Sequence, residues 1–205
     1  MNEDAAAAMI DLAFAVAGDA LPREHRRALA DAIEAALPWL AGTPGAGIHR
    51  LNVAAGGGPF ALLSNRTRLT LRVPREREAA ARALEGAELA VDTTVLRLGA
   101  AQARELLPWG TLYAHLVAAE AGDDELGFLD AVAAELKTLG VQGRPICGRL
   151  QAFDTGALHG YSLMLDGLSA ASSLRLLEAG LGRHRRLGCG LFVPHKSAAA
   201  VGTPH

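Results

Sequence analysis

The fold class this sequence predicts is α+β, as two tandem ferredoxin-like (RRM-like) βαββαβ units with a C-terminal glycine-rich loop. Three observations predict it. Strand-like alternation and helix-like periodicity follow one another in the order β-α-β-β-α-β, and the same order then starts over roughly 100 residues later. Half of the 205 residues are hydrophobic, enough to fill two small cores. Two Gly-apolar-Gly brackets stand close together between the last helix and the last strand. The pattern divides the chain at residues 1–104 and 105–205, with the loop at 180–190 in the second part. No identity between the halves supports the repeat, only the order of elements.

In the first half, residues 9–16 alternate as a strand. Pro22 opens a helix, a position proline tolerates, and Leu29, Ile33, Leu37 and Leu40 recur at helical spacing, with Pro38 expected to end the helix or loosen its last turn. A glycine-rich stretch leads to a second strand at 48–53, and Gly56-Gly57-Gly58-Pro59 reads as a loop. Leu69, Leu71 and Val73 share one face of a third strand, 67–73. A short Ala/Arg/Glu helix over 75–85 precedes a fourth strand, made of 89–91 and 95–98 with a turn between. Residues 100–110 form the expected junction. The second half repeats the order. It has a strand at 111–117, a helix at 124–139 with Phe128, Val132 and Leu136 on one stripe, and strands at 144–153 and 161–165. A helix at 170–179 and a last strand at 191–193 complete it.

Composition removes several function classes. No apolar run reaches the length of a membrane span, and the acidic start Asn2-Glu3-Asp4 lacks the basic opening of a secretory signal. A cytoplasmic location with no membrane partner is expected. Cys147 and Cys189, without CxxC spacing, suit neither a disulfide framework nor a zinc cage. A formal net charge of −2 does not advertise a nucleic-acid binder, but the distribution does. After Glu178 no acidic residue follows, while Arg183, Arg185, Arg186 and Lys196 do. Arg66, Arg68, Arg72, Arg75 and Arg77 form a second basic cluster. Aromatics are only 4% of the chain, so stacking of bases on an aromatic sheet face is not expected. Tyr113 and Phe153 are read as core.

The loop carries the clearest chemistry. Gly180-Leu181-Gly182 and Gly188-Cys189-Gly190 enclose Arg183, His184, Arg185, Arg186 and Leu187. Glycine permits φ > 0 and close backbone approach to a ligand, and arginine offers a donor fork that matches phosphate oxygens. Helix-then-strand is the reverse of the order in nucleotide-binding glycine loops, and a third glycine is missing at Arg185. The loop therefore points to polyanion contact and not to a nucleotide cofactor, with Gly182, Arg183, His184, Arg185, Arg186, Gly188, Gly190, His195 and Lys196 as candidate contacts.

Seven histidines are candidates for proton transfer. His25 lies four residues before Leu29, at the mouth of the first helix, where it can point into a cleft. The helix N-terminus and Arg23, Arg26 and Arg27 favour its neutral form, and Glu24 opposes them. A neutral imidazole can take a proton from a hydroxyl, and its conjugate acid can return one to a leaving group. The alternative is an ordinary surface histidine at a helix start. His49, beside Arg50 after the glycine-rich stretch, is the rival. His184 and His195 are read as phosphate or base contacts, His115 as a hydrogen-bonded core residue and His159 as a turn residue. No pair has the spacing of a helical metal site, so neither metal nor cofactor is expected.

With these features in hand, the chain resembles the CRISPR-associated endoribonucleases that process repeat transcripts, the "Cas six" family, and within it the MYXAN subtype. The family signature is a Gly-apolar-Gly pair around about five residues, some of them basic, between the last helix and last strand, as at 180–190. Leu21-Pro-Arg-Glu-His25, Leu37-Pro-Trp-Leu40, Gly47-Ile-His49 and residues 67–74, 107–115 and 187–201 are also similar. The resemblance implies metal-independent cleavage of a CRISPR repeat RNA, usually at the base of a hairpin. In that reaction the 2′-hydroxyl attacks the adjacent phosphate to leave a 2′,3′-cyclic phosphate. It implies a catalytic histidine on or just after the first helix, which His25 matches by lying on the helix and His49 by following it. Relatives that add a lysine or tyrosine differ from this chain, whose first half has neither, so Arg26 or Arg50 would hold the phosphate. Other subunits of a type I interference complex are implied partners. A non-catalytic RNA-binding subunit of such a complex, or a ferredoxin-like protein with an incidental basic loop, are the alternatives.

Overall fold

The computed structural model describes residues 7–18, 20–55, 58–120 and 124–196. The acidic start at 2–4, Gly56-Gly57 of the expected loop, and the tail from Ser197 to His205 lie outside the described residues. Main-chain contacts group the rest into two units. One runs through Glu105 and includes Arg185–Gly188, and the other takes Leu106–His184 and the residues from Cys189. A linear division leaves the whole loop with the second half, whereas its tip, four residues, packs with the first.

In the first unit β1 (Met9–Ala17) lies at the centre of a five-stranded antiparallel sheet. β3 (Gly47–Ile48), β6 (Arg68–Pro74), β1, β8 (Thr94–Glu105) and β7 (Glu88–Val91) stand in that order, which without the extra hairpin strand β7 is the ferredoxin-like arrangement. Alternation explains the two faces. Ile10, Leu12 and Phe14 of β1 and Leu69, Leu71 and Val73 of β6 are fully buried, each contributing about 1.5–3 kcal/mol. Buried with them is the stripe Leu29, Ala30 and Ile33 of α1 (Arg26–Ala36). α1 stops where the sequence says it must. Leu37 closes the last turn by donating to the Ile33 carbonyl at 2.7 Å, then leaves the helical region (φ −128°, ψ 74°) before Pro38.

Several boundaries differ from expectation. Pro22 does not open α1 but ends a short strand, β2 (Ala20–Pro22), paired with β5 (Phe60–Leu62). β5 also pairs with β4 (Ala54–Ala55), which makes a small three-stranded sheet. The expected strand at 48–53 shrinks to β3 because the chain leaves the sheet after His49 donates to the Thr70 carbonyl. The region 75–85 is helical, with α2 (Glu78–Ala81) between two 3₁₀ turns. Residues 100–105, expected to begin a junction, continue β8 and pair with β1.

The second unit repeats the arrangement. β10 (Arg144–Phe153), β11 (Leu158–Asp166), β9 (Thr111–Ala118) and β12 (Val193–Pro194) form its antiparallel sheet in that order. α3 (Glu125–Leu139) is capped by Asp124, whose carboxylate accepts from Gly127 N–H, and α4 (Ala170–Ala179) by Ser169. Phe128 packs on Tyr161 at 4.7 Å between centroids, the rings tilted by 32°, and Leu112, Leu163 and Leu165 are fully buried in the same unit. Phe153 is buried as expected, but Tyr113 is only half-buried. His115 is not a core residue. Its neighbours Ala114 and Leu116 point inward, so alternation turns His115 outward beside Tyr113, at 5.0 Å. His159 belongs to β11 and not to a turn. Among the described residues no helix is long and apolar enough to cross a membrane.

On the face of the first sheet opposite its apolar side, Asp11 of β1 and Arg72 of β6 are directly paired in register. Arg72, 1% exposed, donates from Nε and Nη2 to the two oxygens of Asp11 at 2.8 and 2.9 Å. Removing one partner leaves a buried charge uncompensated. Arg72→Met should therefore cost about 3–5 kcal/mol in urea unfolding, and a loss under 1 kcal/mol would show that the pair holds little.

Candidate active site

A small cleft in the first unit is lined by His25, Arg26, Leu29, Ile48, His49, Arg50, Leu51, Arg186 and Leu187. His25 is the N-cap residue of α1 but makes no side-chain cap. Its ring turns back instead, Nδ1 standing 2.7 Å from the Pro22 carbonyl oxygen. A carbonyl can only accept, so Nδ1 carries the hydrogen and Nε2 of the neutral ring is the proton acceptor. At 6% exposure His25 is buried, not an ordinary surface histidine. Burial pushes its pKa below the usual histidine value; the Pro22 carbonyl pulls up, Arg26 down, Glu24 up and Arg50 down. This imidazole is kept neutral and ready to accept.

His49 sits in the same cleft with different company. Its Nε2 meets Asp11 Oδ1 at 3.3 Å, and Asp11 is the carboxylate that Arg72 grips. Burial pushes the Asp11 pKa up, but the hydrogen bonds and charges of His49 and Arg72 outweigh it and hold the carboxyl well below the usual range. Arg26 donates to the Leu187 carbonyl at 3.4 Å, and Arg50 is exposed at the cleft. Of the expected basic cluster, Arg72 is committed to Asp11, Arg75 to Glu105, and Arg68 to the carbonyls of Asn65 and Thr67. Arg77 lies over the Trp39 ring at 5.6 Å.

The glycine loop is held by its own backbone. Leu181 and Cys189, the apolar residues of the brackets, are fully buried. Leu181 N–H donates to the Gly190 carbonyl at 3.1 Å, and Gly190 N–H to the Leu116 carbonyl at 2.7 Å. Gly190 has φ +68°, and a Cβ there would meet the Leu181 carbonyl oxygen at 1.8 Å. Gly188, with φ +82°, passes less closely over Arg50 N and the Ile48 carbonyl, where a Cβ would stand at 3.2 and 3.4 Å, a tight contact. These glycines come close to protein, and Gly182 gives its N–H to the carboxylate of Glu135.

Between the brackets, the basic residues divide. Arg186 is clamped by α1, with Nε 2.8 Å from Glu34 Oε1 and Nη2 reaching Glu34 Oε2 and Asp31 Oδ1 at 2.6 and 2.5 Å. It ties the loop tip to the helix that begins beside His25. Arg183 pairs with Glu120 but is largely exposed, and His184 is exposed with a left-handed backbone, φ 63°. Arg185 is half-buried. His195 and Lys196 are exposed in the second unit, the former 5.4 Å from Tyr113 between ring centroids. The structure thus brings His25, Arg26, His49, Arg50 and Arg186 to one cleft, and places Gly182, Arg183, His184, Gly190, His195 and Lys196 in the other unit. Sequence reasoning missed Asp11, Asp31 and Glu34. An acidic residue inside the apolar run of β1 was the available signal for the first.

The family model described as "Cas6 Crispr" matches residues 10–197, spanning both units, the cleft and the loop. The chain belongs to the Cas6 family. A relative from Myxococcus xanthus (strain DK1622), "CRISPR-associated endonuclease Cas6", is 36% identical over 194 residues, 94% of this chain and 84% of the relative. Among solved structures, a "CRISPR associated protein Cas6" has a TM-score of 0.60 at 10% identity, over 92% of this chain and 100% of the other. "An RAMP protein binding different RNA substrates" has a TM-score of 0.59 at 14% identity, over 90% and 98%. The chain is a family member of CRISPR-associated endonucleases with the α+β fold of those structures.

Gly190→Ala should lower the melting temperature, since it combines left-handed strain of at least 1–2 kcal/mol with a backbone clash. Gly110→Ala, where a Cβ meets nothing within 4 Å, is the control and should leave the melting temperature within a degree or so. Equal behaviour of the two in a thermal melt would contradict the backbone role assigned to Gly190.

Proposed function

We propose that this protein is a metal-independent endoribonuclease that cuts CRISPR repeat transcripts into guide RNAs, with His25 as the general base. The observation that carries the reading is the buried His25 ring, its tautomer fixed by Pro22, in a cleft that also holds Arg26, His49 and Arg50. Nε2 takes the proton of the 2′-hydroxyl next to the scissile phosphate. That oxygen attacks phosphorus in line, the bond to the 5′-oxygen breaks, and a 2′,3′-cyclic phosphate and a 5′-hydroxyl result. Arg26 and Arg50 offer the charge that the phosphorane needs, in place of the lysine or tyrosine that this half lacks. Orientation of the attacking oxygen supplies much of the remaining rate.

Arg183, His184, Arg185, His195 and Lys196 are the residues through which the protein grips the RNA, a repeat hairpin in this reading. Arg186 serves by holding the loop tip, its guanidinium being engaged by Asp31 and Glu34. Gly182, Gly188 and Gly190 serve by giving the loop its shape. The endonuclease name of the Myxococcus relative and the RNA-binding title of the solved RAMP protein support this substrate class. The cytoplasm and a type I interference complex are the setting it implies.

His25→Ala should lower the single-turnover rate on a repeat hairpin about 10²–10⁴-fold while leaving affinity for the RNA nearly unchanged. A 2′-deoxy substitution at the cut should abolish cleavage with magnesium present, and EDTA should leave cleavage of the unmodified RNA intact. Cleavage of the deoxy RNA, or loss of activity in EDTA, would replace this mechanism with a hydrolytic, metal-assisted one.

The pH dependence has a definite sign. A base whose pKa lies below the usual 6.5 stays unprotonated in mild acid. The rate should thus remain high as pH falls through 6.5 and drop only below it. A rate that rises to half its maximum only above pH 7 on the acid side of the profile would contradict His25 as the base.

A further inference from the structure

We infer that Asp11, locked by Arg72, is a positioning residue that turns His49 into the general acid for the departing 5′-oxygen. The inference rests on the ribonuclease reading above and supplies the proton that reading leaves unassigned. Three observations on one sheet face support it. Asp11, Arg72 and Gly47 stand opposite one another on β1, β6 and β3, which sets His49 two residues on from Gly47 and on the same face. Arg72 holds both carboxylate oxygens, so the plane of Asp11 is fixed before His49 meets it. The contact to His49 is through Nε2, at 3.3 Å.

The consequence is a single functional nitrogen. A carboxylate held in its charged form accepts only, so Nε2 of His49 carries its hydrogen toward Asp11, leaving Nδ1 as the ring nitrogen free to serve the RNA. Protonated at Nδ1, the ring has its positive charge balanced by Asp11. His25 is arranged the opposite way, with Nδ1 tied to a carbonyl and Nε2 left for proton transfer. Two imidazoles in one cleft are thus given different partners: the Pro22 carbonyl leaves His25 an acceptor at Nε2, and the Asp11 carboxylate balances the charge of a His49 ring that carries the proton to be donated at Nδ1. As the bond from phosphorus to the 5′-oxygen breaks, His49 Nδ1 gives that oxygen its proton. His25 has gained one from the 2′-hydroxyl, and both rings return to their starting states by exchange with solvent.

Asp11→Asn alone strands the Arg72 charge, so the test uses the double variant Asp11→Asn/Arg72→Met, which removes both charges of the pair. In full-length protein with a cleavable repeat hairpin, the double variant should lose about 10–100-fold in single-turnover rate. Its affinity for a 2′-deoxy RNA should stay within about threefold of wild type. In a His49→Ala background the same two substitutions should change the rate by less than about twofold, because they act only through that ring. At a pH high enough for the ring to be neutral, nitrogen-15 NMR of the RNA-free protein should show His49 as the Nε2–H form in wild type and a mixture of tautomers in the double variant.

An equal rate loss in both backgrounds, or a His49 tautomer that does not respond, overturns the inference. So does full activity of His49→Ala, and if His25→Ala is inactive at the same time the ribonuclease reading stands while this one falls. A wild-type protein that cuts no repeat RNA sinks both.

Discussion

One buried ion pair sets the geometry of the first unit. Asp11 and Arg72 face each other across the two central strands, on the side of the sheet that the apolar residues leave open. Ion pairs of this kind seldom raise stability above what an apolar pair would give, but they penalise every arrangement in which either charge loses its partner. A strand slipped by one residue would put Asp11 and Arg72 on opposite faces and drive Leu12 or Leu71 out of the core. The pair therefore fixes register, and register determines where the chain leaves β3 and so where His49 comes to rest.

The loop obeys a constraint of another kind. Its glycines were expected to let the backbone approach a ligand, yet at Gly190 the space a side chain would need is filled by the protein's own main chain, and at Gly188 main chain crowds it. Buried Leu181, Leu187 and Cys189 anchor it from within. Arg186 anchors the tip by ion pairs to α1, the helix whose N-cap is His25. The loop tip and the candidate base are thus referred to the same helix.

Much of the fold was legible, because ferredoxin-like units advertise themselves through long alternating strands and amphipathic helices. β1, β6, β9 and β11, α3 and α4 are clear in the sequence for that reason. Strands of two or three residues carry no periodicity, so the small sheet of β2, β4 and β5 could not be foreseen. The stretch Ala-Ala-Gln-Ala-Arg-Glu at 100–105 has helix-forming composition, and pairing with β1 overrides it. At the cleft, position alone suggested His25 and His49. What distinguishes them, a carbonyl on one ring and a carboxylate on the other, comes from Pro22 and Asp11, and spacing along the chain does not report such partners. His115 was misjudged because its apolar neighbours hid which face it occupies.

A loop whose shape comes from buried and ion-paired residues is freer to vary at its exposed positions than at its anchored ones. Arg183 and His184 are exposed, Arg183 paired with Glu120 and His184 at a left-handed backbone position. A change of the Arg183 or His184 side chain would thus leave the buried bracket residues in place, whereas a change of Arg186 would have to be matched at Asp31 and Glu34 on α1. The hinge is a buried frame that carries an exposed stretch.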